Sequence, residues 1–260
     1  MKTALVCVSI GAVGPQGRKA LDGAEQALAQ AMPRAQLVRV FTSSGVREKL
    51  AAQGTRVMSV TEALDHLARE GAEQVAVQPL FLVSGREFRS LEAQVETARP
   101  RFPKLALGRP LLDSPEDACA LGKILSDRYQ PEPGRAVVLL GHGGGEDVQQ
   151  TYGQLEAALQ DLGREDMLVG TLLGEPGLPQ VMERLEAGGF RQVRLTPLLV
   201  AAGNHALRNM AGEEADSWQS ALTRGGFQVK CSLHGLGEDP QIQQLFVRRL
   251  LAALEELASS

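Results

Sequence analysis

Residues Leu195–Glu214 read LTPLLVAAGNHALRNMAGEE. The largely apolar run from Leu195 to Val200 suits a buried strand, and small residues and a glycine end it just before His205. In an open parallel sheet, ligands bind at the loops beyond the carboxyl ends of the strands. His205 therefore stands where chemistry is expected, with Asn204 and Asn209 placed to orient its ring.

The same reading extends outward. Apolar, β-branched runs predict strands at Thr3–Ile10, Gln36–Phe41, Glu73–Leu80, Lys104–Leu107, Arg135–Gly141, Met167–Leu173, Gln192–Val200 and Phe227–Leu233. Helical patterns fall between them, among them Pro115–Tyr129 with Ser114 as cap, Val148–Leu162, Met210–Arg224 and Pro240–Leu257. This alternation predicts an α/β fold with parallel sheets. QPEPG at Gln130–Gly134 breaks the pattern near the middle and predicts two lobes, 1–130 and 131–260.

The halves resemble each other. LAREGAEQVAVQPLFLVSGREF, near residues 67–88, aligns without a gap on LEAGGFRQVRLTPLLVAAGNHA, near 185–206, so that Pro79 falls on Pro197 and Glu87 on His205. ALVCVSIG (Ala4–Gly11) likewise aligns on AVVLLGHG (Ala136–Gly143), placing Ile10 on His142. Such a duplication predicts two similar flavodoxin-like lobes with parallel sheets, related by a pseudo-two-fold. Their strand-end loops would share a cleft, gathering Glu87, His142 and His205 into one constellation.

Composition narrows the function. A net charge of −4 across 260 residues, with two Tyr and one Trp, gives neither a basic footprint nor stacking platforms, so no nucleic acid is expected. No apolar run approaches the ~20 residues of a membrane span. Cys7, Cys119 and Cys231 lie far apart and form no metal motif, which suits a reducing, cytoplasmic setting; the apolar start lacks a cleavage signal and reads as a strand. A homo-oligomer is left open.

His142 follows a strand in LLGHGGGEDV, where Gly141 and Gly143 allow close backbone approach and a helix N-terminus follows with N–H groups free for an anion. There is no GK[ST], so no nucleotide is expected. His66 reads as a surface or half-buried helix residue, and His234, just past the last strand, as a loop residue. Two histidines and a carboxylate suit a borderline divalent ion such as Co²⁺, Fe²⁺, Ni²⁺ or Zn²⁺.

TPLLVAAGNHALRNMAGEEADSW, with HGLGEDPQI near the C-terminus, resembles the anaerobic cobaltochelatases of the CbiK type, class II chelatases related to ferrochelatase. RVFTSSGVREKL, VQPLFLVSGREF, LLGHGGG and VGTLLGEP fall in the same order, so the resemblance runs nearly end to end. It implies a chelatase-like fold and ATP-independent insertion of Co²⁺, or Fe²⁺ for sirohaem, into sirohydrochlorin or its reduced precursor precorrin-2, within cobalamin biosynthesis. It also implies that His142 and His205 bind metal and accept protons, and that Glu87 is a site acid. Arg86, Arg89 and Arg208 become partners for the tetrapyrrole's carboxylates. Where the family carries a further metal-binding acid this chain has Leu173, and Glu175 would point the same way were that stretch extended. The alternative function is a non-catalytic tetrapyrrole or metal carrier that has lost that acid.

Overall fold

The computed structural model describes residues 2–203 and 206–259, the latter span without the side chains of 206 and 207. Two compact units emerge: Met1–Leu111 with Gly237–Ser260, and Leu112–Leu236. The first contains β1 (Thr3–Ser9), α1 (Pro15–Ala31), β2 (Gln36–Phe41), α2 (Ser44–Ala52), α3 (Val60–Arg69), β3 (Gln74–Pro79), α4 (Arg86–Ala98) and β4 (Lys104–Leu107). The second contains α5 (Pro115–Arg128), β5 (Arg135–Gly143), α6 (Glu146–Asp161), β6 (Met167–Leu173), α7 (Leu178–Ala187), β7 (Gln192–Pro197), α8 (Trp218–Arg224) and β8 (Gln228–Cys231). The last helix, α9 (Pro240–Ser259), returns to the first unit.

Both sheets are parallel and share one winding, β2-β1-β3-β4 in the first unit and β6-β5-β7-β8 in the second. The predicted repeat holds down to the register: Val8 pairs with Pro79, and Leu140 with Pro197. Even the exit bonds recur, with Leu80 N–H donating to Val8 O at 2.7 Å and Leu198 N–H to Leu140 O at 2.8 Å.

Alternate residues of each central strand feed one core. Ala4, Val6 and Val8 pack with Val75 and Val77 beneath Leu64, Leu67, Leu91 and Val95 of α3 and α4. Ala136, Val138 and Leu140 pack with Val193 and Leu195 beneath Val181, Leu185, Trp218 and Leu222 of α7 and α8. Each fully buried leucine contributes about 1.5–3 kcal/mol relative to exposure. Helix starts follow local chemistry: Ser59 and Glu62 form a reciprocal capping box on α3, and Ser114 Oγ accepts from Asp117 N–H at 3.3 Å ahead of Pro115.

One polar cluster interrupts the first unit. Glu25 of α1, only 3% exposed, accepts two hydrogen bonds from Arg39 Nε of β2 at 3.0 and 2.8 Å, and Arg39 also pairs with Asp22. Burial pushes the Glu25 carboxyl above the usual range, Arg39 opposing it. The buried Cys7 thiol is pushed up too, by burial first and then by Glu25.

Three expectations need correction. The units do not divide at residue 130: α5 packs on α6, and α9 on α1, β3 and β4, so the last helix of each predicted half belongs to the other unit. The helix expected over Met210–Arg224 begins only at Trp218, capped by Ser217, whose Oγ accepts from Ser220 N–H at 3.1 Å and donates to Gly212 O at 2.6 Å. Before it, Ala206–Met210 forms one π-helical turn. Finally, β8 ends at Cys231, two residues before the expected Leu233, and His234 lies in a loop as expected.

Candidate functional site

The winding of the second sheet reverses between β5 and β7, so their carboxyl ends flank its crevice. His142 is the penultimate residue of β5 and half-buried, its Nδ1 3.4 Å from Gly143 O. Gly143 is fixed twice over. Its φ is +82°, and a Cβ there would lie 1.8 Å from Leu173 O, its neighbour across the β5–β6 ladder. Gly141 is buried against the Tyr152 ring, where a Cβ would come within 2.7 Å of the phenol.

Tyr152 belongs to this loop, although its place on the apolar face of α6 reads in sequence as core alone. It is 3% exposed, and its hydroxyl is hydrogen-bonded to the backbone of Gly143 and His142. Burial, the larger effect, pushes the phenol up to about 12 against those bonds, so the hydroxyl stays protonated at neutral pH. The loop carrying His142 thus rests on a neutral, buried phenol. The Gly143→Ala variant should lose about 2–5 kcal/mol in chemical denaturation, from left-handed strain plus overpacking against backbone. A loss under about 1 kcal/mol would mean that the loop relaxes freely.

The helix N-terminus behind the loop differs from expectation. Glu146 and Asp147 occupy the first turn of α6, and Asp147 Oδ1 accepts from Val148 N–H at 3.0 Å. The positive end of this helix is therefore complemented from within, which removes the basis for anion binding there.

Leu173, at the end of β6, is 57% exposed, and its backbone abuts Gly143. The extension needed to point Glu175 the same way does not hold. Gly174 has φ +93°, and Pro176 O turns back to accept from Thr171 N–H at 2.8 Å. Glu175 is left exposed in this turn. Arg208, also exposed, lies in the π-helical turn after β7, and His205 lies outside the described residues.

In the first unit, Arg86, Glu87 and Arg89 occupy the first turn of α4, beyond β3. Gly85 is the N-cap; Glu87 is partly exposed and complements the helix dipole, and Arg89 reaches Ser84 O at 3.4 Å. His66 is 40% exposed and pairs with Glu70 at 3.1 Å. Among the described residues, no three His, Cys, Asp or Glu side chains converge as a metal site, and no helix is long and apolar enough to cross a membrane.

The family described as cobalt chelatase (CbiK) matches residues 3–255. The chain belongs to the CbiK family. A sirohydrochlorin cobaltochelatase of Salmonella typhimurium is 33% identical over 257 residues, covering 98% of this chain and 97% of the relative. The sirohydrochlorin cobaltochelatase CbiKC of Nitratidesulfovibrio vulgaris is 30% identical over 262 residues, covering 98% and 92%. In fold, this CbiK-family chain is similar to SirB from Bacillus subtilis, solved with Fe³⁺, at a TM-score of 0.69 and 18% identity over 100% of this chain and 98% of that one. It is also similar to CbiX of siroheme biosynthesis in denitrifying bacteria, at 0.55 and 18% over 96% and 99%. The chelatase-like fold that the resemblance implies is the one observed.

Proposed function

We propose that this chain inserts Co²⁺ into sirohydrochlorin without a nucleotide, releasing the two pyrrole N–H protons. Membership of the CbiK family and the names of its relatives support the reaction. The observation that carries it is the glycine-locked loop presenting His142 at the crevice of the second sheet, over the buried Tyr152. In this reading His142 and His205 hold the substrate ion through neutral imidazole nitrogens. As the ion moves to the macrocycle, one of the freed imidazole nitrogens accepts one pyrrole proton. Glu87, the repeat's counterpart of His205, accepts the remaining proton, and Arg86, Arg89 and Arg208 pair with substrate carboxylates. Glu175 does not share the direction of Leu173, because the chain turns at Gly174, and it is proposed as third ligand only as the acid that follows Leu173 in this exposed turn. Fe²⁺ and Ni²⁺, of similar borderline softness, are candidate alternative ions. The three free cysteines suit a reducing compartment such as the cytoplasm.

The test follows the visible spectrum of sirohydrochlorin with Co²⁺ and catalytic amounts of protein. Many turnovers above the uncatalysed rate are expected. Pigment that stays bound at one equivalent while the rate equals background would overturn the reading in favour of a carrier. The Glu175→Ala variant should raise KM for cobalt about tenfold or more, the scale of a lost metal contact. An unchanged KM would remove Glu175 from the ligand set.

A further inference from the structure

The repeat exposes a difference between the units. In the first, Ala76 of β3 pairs with Ala106 of β4, both are buried, and α9 packs across these strands. The same register position in the second unit holds Arg194 of β7 beside Lys230 of β8. Like charges directly opposite on neighbouring strands are destabilising. Here they stand beside an open groove of about 480 Å³ that Tyr129, Ser232 and His234 also line.

The groove is built around a fixed ring. Tyr129 is 5% exposed, its hydroxyl lies 3.0 Å from Thr196 Oγ1, and the Arg194 guanidinium sits 5.8 Å from its ring centre. Local anions do not neutralise the cations. Arg194 reaches Glu132 at 3.5 Å, but that carboxylate also receives Arg135. Lys230 has no ion-pair partner among the described residues. The carbonyls of Ser126 and Tyr129, at the end of α5, are already taken by the buried Arg164.

We propose that this groove is a second site, for a small multivalent oxyanion bearing carboxylate or phosphate groups. A guanidinium and an ammonium on adjacent strands supply charge-assisted donors to two oxygens of one ligand, and occupancy relieves their mutual repulsion.

Isothermal titration of the whole protein at fixed ionic strength tests this, with citrate in one arm and inorganic phosphate in the other. At least one probe should saturate at a single site with a Kd below about 5 mM, and the stronger arm identifies the headgroup. The Arg194→Gln/Lys230→Gln variant should bind that probe at least about tenfold more weakly, the scale of one lost charged contact. Without anion it should melt at or above wild type, and it should lose the anion-induced rise in Tm. Saturation by neither probe below about 20 mM, or equal binding by the variant, overturns the proposal.

Discussion

The His142→Ala variant is expected to insert cobalt about a thousand-fold more slowly than wild type, within the range a positioned proton-transferring group supplies. The size of the effect rests on placement. The ring is half-buried at a strand end, outside both hydrophobic cores, and its loop is fixed by Gly143 and Tyr152. Removing the imidazole should therefore leave the fold intact, with Tm within about 3 °C of wild type, since surface substitutions change stability by about 0.5 kcal/mol or less. Steady-state insertion rates and a thermal melt on the same preparation separate the two effects. A rate loss under tenfold would remove His142 from the chemistry. A large fall in Tm would instead make it a structural histidine. His205→Ala should behave alike if the two imidazoles share the ion.

The Arg39→Ala variant should be destabilised by about 3–5 kcal/mol, because it strands a buried carboxylate. Glu25 is 3% exposed, and burial already holds its pKa above the unfolded value even with Arg39 in place. A raised carboxyl pKa makes the folded state the stronger proton binder. Stability from such a group is complete below the unfolded pKa, and falls as pH rises through the folded one. Without Arg39 the folded pKa rises further, so the gap between variant and wild type should widen from about pH 4 toward neutrality. Urea denaturation across that interval measures it. The double variant Glu25→Leu/Arg39→Met should recover most of the loss, since a buried ion pair is often replaceable by apolar groups. A single-variant loss below about 1 kcal/mol would show that water reaches Glu25 readily.

Most of this architecture was legible in the sequence. The strands could be located because a sheet covered on both faces demands short, continuous apolar runs, and Ala136–Leu140 is such a run. The repeat was legible because equal register needs equal spacing of Pro79 and Pro197. The exchange of α5 and α9 was not, for the apolar stripe of an amphipathic helix marks which face is buried but not which sheet receives it. The early helix start at Met210 was a misreading of a visible signal, since Ser217 is an N-cap residue immediately before Trp218. Around His142, the glycines were informative and Tyr152 was not. A tyrosine in an apolar stripe looks the same in sequence when its hydroxyl meets solvent as when it meets a loop's backbone. The orientation of Glu175 failed at Gly174, because strand parity ends wherever a residue takes a positive φ.

The return of α9 to the first unit has a consequence for biosynthesis. The second unit is one continuous stretch of chain and has all its helices once residue 236 emerges. The first must wait for the final helix, whose Ile242, Phe246 and Leu250 are fully buried. At roughly 5–20 residues per second, the interval from residue 111 to the last residue of α9 occupies on the order of ten to thirty seconds. Throughout that time the nascent N-terminal sheet displays an uncovered greasy surface on the ribosome, which makes this half the natural client for a chaperone.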